Sequence, residues 1–359
     1  MKNLKKGNFF DRLKNDRQTQ LTTILIVLGV VFLVAVVGYF VMRGDSKEDS
    51  SSEQANTEAG QEYRRLDGKI AAHNQENEFP VGVMIENLKS VRPQAGLSEA
   101  GVVYEALAEG GITRFLAVFA GDDVEKIGPV RSARSYFVDY AKEYNLLYAH
   151  CGGSPQALAE ISAENVLDVN QIGGDQGYYW RDDNLVAPHN LFTKTELLSF
   201  ALRDKGVNDE TPSYQGWKFE GDPSESGRPS EEKSIRIDFS REPYLVEYKY
   251  DAEKNAYARY NGGMPHVDQN NEKQLSPKNV AVQYVEQEVI DGEGRLEIGV
   301  VGEGQAVLFS DGQAVTGSWK KEDLESRTIY YDDQGQEYTF TRGQTFIEIV
   351  PKDREVEYN

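Results

Sequence analysis

The chain has 359 residues, ample aromatics and a formal net charge of −20, which supports about two globular domains with proper cores rather than a disordered chain. Residues 1–20 carry six Lys/Arg against two Asp, so the rest is more acidic than the whole, and nucleic acid is excluded as a partner for the bulk of the protein. A single cysteine, Cys151, rules out an internal disulfide and any cysteine-only metal site.

The first element is Leu21 to Met42, LTTILIVLGVVFLVAVVGYFVM, 22 residues without a charge. As a helix it is about 33 Å long, enough to cross the bilayer core. A cleaved signal peptide fits less well, because its apolar region is normally about 7–15 residues and ends at a small-x-small site. Tyr39, Phe40, Val41, Met42 and Arg43 offer no such site, and no cysteine follows to accept a lipid. The basic residues 1–20 stay cytoplasmic under the positive-inside rule. The expectation is a single-pass cell-membrane anchor over 21–42 with its N-terminus inside and its main body extracellular.

Residues 43–78 are rich in Ser, Glu, Gln, Asn and Gly and read as a flexible stalk. An N-terminal domain over 79–206 follows. Its strands are predicted at Val81–Asn87, Val102–Ala108 and Thr113–Ala120. Gly128-Pro129 then opens a compact unit: Ser132 is a plausible N-cap, and Ala133, Tyr136, Phe137, Tyr140, Ala141 and Tyr144 form one apolar helical face. A buried strand is predicted from Leu146 to His150, and a second helix from the cap Ser154 with Pro155 at its first position. Thr193 and Glu196 suggest a capping box for a third helix, ended by Gly206. The order β, β, β, α, β, α implies an α/β or α+β domain on a mixed sheet. Residues 207–232 have the Pro, Gly, Ser and acid composition of a linker. From 233 to 359, short β-branched and aromatic runs with frequent turns predict a mainly antiparallel β domain, with Asp311-Gly312 as a hairpin turn.

Several long blocks carry a resemblance. PVGVMIEN, RPQAGLSEAGVVYEALAEGGITRFLAVF, IGPVRSARSYFVDYA, AHCGGSPQAL and APHNLFT, in that order, resemble the N-terminal domain of the YerB-like family of bacterial envelope proteins. YNGGMPHVD, NVAVQYV, GQAVLFSDGQAVTGSW and GQTFIEIVP are similar to its second domain. The resemblance spans roughly residues 79–351. It implies two domains on the outer face of the membrane of Firmicute-type bacteria and, the family being of unknown function, no catalytic residues. Its best-known members are lipoproteins, whereas this chain has a spanning segment instead of a lipid-bearing cysteine.

The chemistry is therefore read from the residues. Arg131 and Arg134 stand at a helix start, against the dipole, which suggests an anionic partner. His150 with Ser154 and His189 with Asn190 also lie at or just before helix starts, where the crevice of an α/β sheet accepts ligands. A carboxylate or phosphate of a cell-wall component fits these residue types, as does an envelope protein. The alternative is that the histidines bind loop carbonyls and the arginines internal carboxylates. Glu105, Glu109, Arg114 and Arg181 are secondary candidates. On a strand, Glu105 and Glu109 would be about 13 Å apart, beyond the ~5–9.5 Å of glycosidase carboxylate pairs, and one or both would pair with an arginine such as Arg114. Cys151 and His150 point to opposite faces, and Cys151 reads as a small buried hydrophobe rather than a nucleophile. Asp175, Asp182 and Asp183 lack the spacing of a calcium loop, and His266 reads as structural or at the domain contact. No metal or cofactor is expected. The reading is a protein that binds an anionic envelope ligand or a partner protein, with a hydrolase or transferase on wall material (His150 or His189 as base) or a scaffold for wall enzymes as alternatives.

Overall fold

A computed structural model describes residues 61–72, 77–207 and 210–359. The basic tail, the segment Leu21 to Met42 and the first part of the predicted stalk lie outside the described residues. Among the described residues no helix is long and apolar enough to cross a membrane. The fold below is that of the unit Glu62–Asn359.

The first half of this unit supplies β1 (Val81–Glu86), β2 (Val102–Leu107), β3 (Thr113–Phe119), α1 (Ser135–Lys142), β4 (Leu147–His150), α2 (Pro155–Ala163), β5 (Asp168–Asn170) and α3 (Thr195–Asp204). This is the β, β, β, α, β, α order that the sequence implies. β1 and β2 both pair antiparallel with β3, while β1, β4 and β5 run parallel with α1 and α2 in the crossovers. Every residue of the predicted helical face, from Ala133 to Tyr144, is buried.

The second half supplies β6 (Ser234–Asp238), β7 (Leu245–Asp251), β8 (Ala256–Asn261), β9 (Met264–Pro265), β10 (Asn279–Val285), β11 (Gly302–Ser310), β12 (Gln313–Lys321), β13 (Ile329–Tyr331), β14 (Thr345–Pro351) and β15 (Val356–Tyr358). β6 to β9 and β15 form a five-stranded antiparallel sheet in the order β9-β8-β7-β6-β15. β11 and β12 make the predicted hairpin, with Asp311 at φ 55° and Gly312 at φ 72°, the pair of positive φ values that a type I′ turn requires.

The halves share one sheet, of order β13-β12-β11-β10-β14-β2-β3-β1-β4-β5. β14 runs parallel to both β2 and β10 and is buried along its whole length. Being covered on both faces, it reads in sequence as a near-continuous apolar run, as interior parallel strands do.

Two stretches read as tether are packed. In the predicted stalk, Leu66 and Asp67 are buried. Arg64 bonds Asp67 and, at 2.7 Å, Asp122, and the Gly343 N–H donates to the Asp67 carbonyl at 2.8 Å. One leucine and an ion-paired turn hold a segment whose average composition is polar. In 207–232, Tyr214 and Trp217 are buried, the Trp217 indole donates to the Thr328 carbonyl at 2.8 Å, and Lys218–Glu220 pairs with Thr339–Thr341.

Two helix starts also differ from expectation. α1 begins at Ser135 with Arg134 as cap residue and no side-chain cap, because the Ser132 hydroxyl instead donates to the Cys151 carbonyl at 2.9 Å. α3 begins at Thr195 after Lys194. Thr193 donates to the Tyr178 carbonyl, and Thr195 receives the Val124 N–H at 2.8 Å, so no capping box forms. Ser154 does cap α2, accepting from the Ala157 N–H, with Pro155 next in line.

Candidate functional site

The loop from Gly128 to Arg134 runs between β1 and the β4 end: the Arg131 N–H donates to the Met84 carbonyl, and the Cys151 N–H to the Arg131 carbonyl. It projects the two arginines to different places. Arg134 grips Glu109 in a fork, Nε to Oε1 at 2.5 Å and Nη2 to Oε2 at 2.7 Å, with Arg114 Nη2 3.5 Å from the same carboxylate. Burial pushes the Glu109 carboxyl up, but the Arg134 hydrogen bonds and charge outweigh it and leave it below its ordinary value. Burial, aided by the Arg134 charge, lowers the Arg114 guanidinium to about 10. Arg131 donates through Nη2 to Glu86 Oε1 at 2.8 Å. Both arginines therefore face internal carboxylates, and the external anion expected at these two residues is not needed to balance them. Arg134→Gln is accordingly expected to lower stability by about 1–3 kcal/mol, since it removes the two-pronged contact and leaves a partly buried Glu109 with only the longer contact to Arg114. A thermal melt in which the variant equals or exceeds the parent would refute this.

The remaining candidates scatter. His150 is fully buried; Nδ1 lies 2.8 Å from the Gly152 carbonyl and Nε2 3.0 Å from Asp168 Oδ2. It fastens β4 to β5. Ser154 is occupied as the cap of α2. Asn190 accepts from Arg181 at 2.8 Å and donates to the Asp182 carbonyl. Cys151 is half-buried, its Sγ 3.4 Å from Gln171 Oε1, and burial raises the thiol against the lowering charges of Arg181 and Arg131. No imidazole of the described residues hydrogen-bonds it. Asp175 caps the Asn170 N–H and Asp182 binds Lys126. Among the described residues no group of three or more His, Cys, Asp and Glu could hold a metal ion.

His189 is the exception. Its side chain is 30% exposed and lines a cleft of ≈ 550 Å³ with Val91, Arg92, Pro93, Leu185, Val186 and Phe192 among its walls. His189 Nδ1 lies 2.8 Å from Glu86 Oε2 and 2.6 Å from Arg131 Nη2. One nitrogen cannot donate to the carboxylate and accept from the guanidinium at once. The carboxylate contact governs: Arg131 already has Glu86 Oε1 as its acceptor, and a bare Nδ1 would set its lone pair against an anion. The ring then carries its proton on Nδ1, which leaves Nε2 as its acceptor.

Arg92, in the loop after β1, was not marked as a site residue by sequence reasoning. It donates to Asn87 Oδ1 at 2.8 Å and to the Asn87 carbonyl at 3.2 Å, and lies 5.2 Å over the Tyr244 ring. It forms no ion pair with any described residue. Burial lowers its guanidinium, partly offset by the charge of Glu105. The sequence signal was weak because KSVRPQ reads as an ordinary polar loop.

Glu105 lies inside, fully buried and paired not with Arg114 but with Arg259 of β8; it also accepts from Asn87 at 3.0 Å and Thr113 at 2.5 Å. Arg259 donates to Tyr248 at 3.0 Å and to His266, which reaches Gln94 at 2.8 Å. His266 is thus structural and at the contact of the two halves. Burial, with the charges of Arg259 and Arg92, holds its imidazole well below the ordinary value, so it accepts at Nδ1 and donates from Nε2.

A mixed sheet with helical crossovers, completed by a second-half strand and backed by an antiparallel sheet, defines a two-part β-rich protein with a lateral cleft. Family comparison gives it a place. Residues 66–208 match the family described as "Protein of unknown function (DUF3048) N-terminal domain", and residues 235–347 match its C-terminal domain. "Putative lipoprotein YerB" of Bacillus subtilis strain 168 is 33% identical over 276 residues, covering 76% of this chain and 81% of that protein. The crystal structure of Bacillus subtilis YerB superposes with a TM-score of 0.73 at 31% identity, covering 82% of this chain and 99% of that one. The chain belongs to this YerB-like family.

Proposed function

We propose that the protein is a membrane-anchored, extracytoplasmic binding protein whose ligand is an anionic component of the cell envelope, held in the cleft beside Arg92. The lipoprotein description of its Bacillus subtilis relative supports the placement outside the membrane. The uncharged segment Leu21 to Met42 would replace the lipid as anchor. The observation that carries the binding reading is Arg92: a residue that lines the cleft, whose guanidinium has no ion-pair partner among the described residues and is held in place by Asn87. An acidic group of the ligand would take the open side of that fork. Val91, Pro93, Leu185, Val186 and Phe192 would take its apolar part, and Val186, 81% exposed, has surface to cover.

The test is calorimetric titration of the full chain in nanodiscs with teichoic acid and with soluble muropeptides. Arg92→Gln is expected to weaken binding by about tenfold or more, as for a lost charge-assisted contact, and to leave the melting temperature within a few degrees. Equal affinity of variant and parent for both fragments would sink the reading.

A further inference from the structure

We propose that Glu86 and His189 make the same cleft a hydrolytic site, in which His189 activates a water molecule for attack on a carboxylic ester. This rests on the reading of the cleft as the ligand site and adds a reaction to it. Glu86 ends β1, where its backbone N–H is fixed by the Pro129 carbonyl at 3.0 Å. Its carboxylate is buried, anchored at Oε1 by Arg131 and joined at Oε2 to His189 Nδ1, both at 2.8 Å. The His189 backbone N–H bonds the Val186 carbonyl at 3.0 Å, and Arg131 Nη1 reaches the Pro188 carbonyl at 3.4 Å. Ring and carboxylate are thus held from both sides. A carboxylate on Nδ1 fixes the tautomer and the orientation of the ring. Nε2 bonds no described residue, and His189 and Arg92 line the same cleft.

A base, an orienting carboxylate and a cation without a carboxylate of its own are the parts needed to add water to a carbonyl. His189 Nε2 takes a proton from water as the hydroxyl oxygen bonds the ester carbon, and the carbonyl oxygen becomes an oxyanion facing Arg92. The carbon–oxygen bond to the leaving group then breaks, and the proton on Nε2 passes to the departing alkoxide. An acid and an alcohol result, with no oxidant or further reactant. Glu86 is a positioning residue in this scheme and His189 the catalytic one.

The experiment uses the full chain in nanodiscs with 4-nitrophenyl butyrate, beside free imidazole at equal concentration. Saturable turnover well above imidazole is expected. His189→Asn should lower kcat/KM by about 100-fold or more without a change in melting temperature. Glu86→Gln should lower kcat by about tenfold or more and displace the acid limb of the pH–rate profile, a change that simple loosening of the fold would not produce. Turnover no faster than imidazole, or turnover that survives His189→Asn, overturns the inference. Titration with muropeptides and teichoic acid separates the two readings. Fragments that bind to an inactive parent leave the binding function standing and end the hydrolytic one. Ester turnover lost in His189→Asn without fragment binding does the reverse.

Discussion

Arg259→Met is expected to destabilise the protein by about 3–5 kcal/mol, lowering the melting temperature by roughly 6–15 °C. The guanidinium is fully buried and is the cation that meets Glu105 of β2, with Glu348 of β14 3.8 Å away and Tyr248 of β7 on its Nε. Methionine fills similar space but leaves Glu105 charged, or forces it to take a proton, in a setting from which water is excluded. His266 loses the donor to its Nδ1 as well. Arg259→Lys should recover only part of the loss, since one ammonium cannot reach the positions of a planar fork. Pairing Arg259→Met with Glu105→Gln should cost less than Arg259→Met alone, because the stranded charge is then gone. A melt of Arg259→Met within about 2 °C of the parent would show that this network does not hold the halves together.

A second buried knot has the same logic elsewhere on the sheet. Glu143, just beyond α1, accepts from Arg327 at 2.5 Å, from the Thr328 hydroxyl at 2.5 Å and N–H at 3.2 Å, with Lys321 at 3.4 Å. The Arg327 guanidinium lies 4.1 Å from the Tyr144 ring centre and 3.8 Å from that of Trp217. First-half carboxylates thus meet second-half cations in both knots, and the segment 207–232 contributes an aromatic plate to one of them. Family resemblance divides the chain into two blocks, while the hydrogen bonding of β14 to β2 joins them.

What the sequence disclosed follows the range over which each signal acts. The strands of 81–120, the apolar face of α1, the Ser154-Pro155 start and the Asp311-Gly312 hairpin all depend on residues within a few positions of one another, and they were legible. The partners of the charged residues were not. The pairing of Glu105 or Glu109 with an arginine such as Arg114 holds for Glu109, whereas the partner of Glu105, Arg259, stands 154 positions away. Arg131 and Arg134 looked misplaced at a helix start because Glu86 and Glu109, 45 and 25 positions earlier, arrive there only through sheet pairing. The same geometry that neutralised those two arginines left Arg92 open, and no spacing rule picks out a loop arginine whose anchors among the described residues are one asparagine and a tyrosine face. Thr193 and Ser132 failed as caps for a related reason: each hydroxyl found a tertiary carbonyl, which a local motif cannot anticipate.

Glu348→Gln is expected to stabilise the protein, and increasingly so as pH rises from about 5 to 8. Glu348 is fully buried beside Glu105, its register partner on the neighbouring parallel strand. Tyr248 donates to one of its oxygens, and the other has no hydrogen-bond partner. Burial first, and then the charge of Glu105, raise the carboxyl to about 8 against the lowering pull of Arg259. The Tyr248 hydroxyl is itself pushed well above its usual range by burial and by the Glu348 charge, and His266 stays neutral, so Glu348 is the group of this cluster that titrates near neutrality. Its folded-state value lies above the unfolded one of 4.5. Below pH 4.5 both states hold the proton and the group has no effect. Between 4.5 and 8 the unfolded chain releases a proton that the native state keeps, so stability falls with rising pH; above 8 the loss is complete. Glutamine keeps the acceptor for Tyr248 and can donate to Glu105 while carrying no charge at any pH. Its advantage over the parent should therefore be near zero at pH 4 and reach on the order of 2–4 kcal/mol at pH 8. Urea unfolding of parent and variant at pH 4, 6 and 8 measures this difference. A gap that is constant across that range, or that closes as pH rises, would place the proton elsewhere.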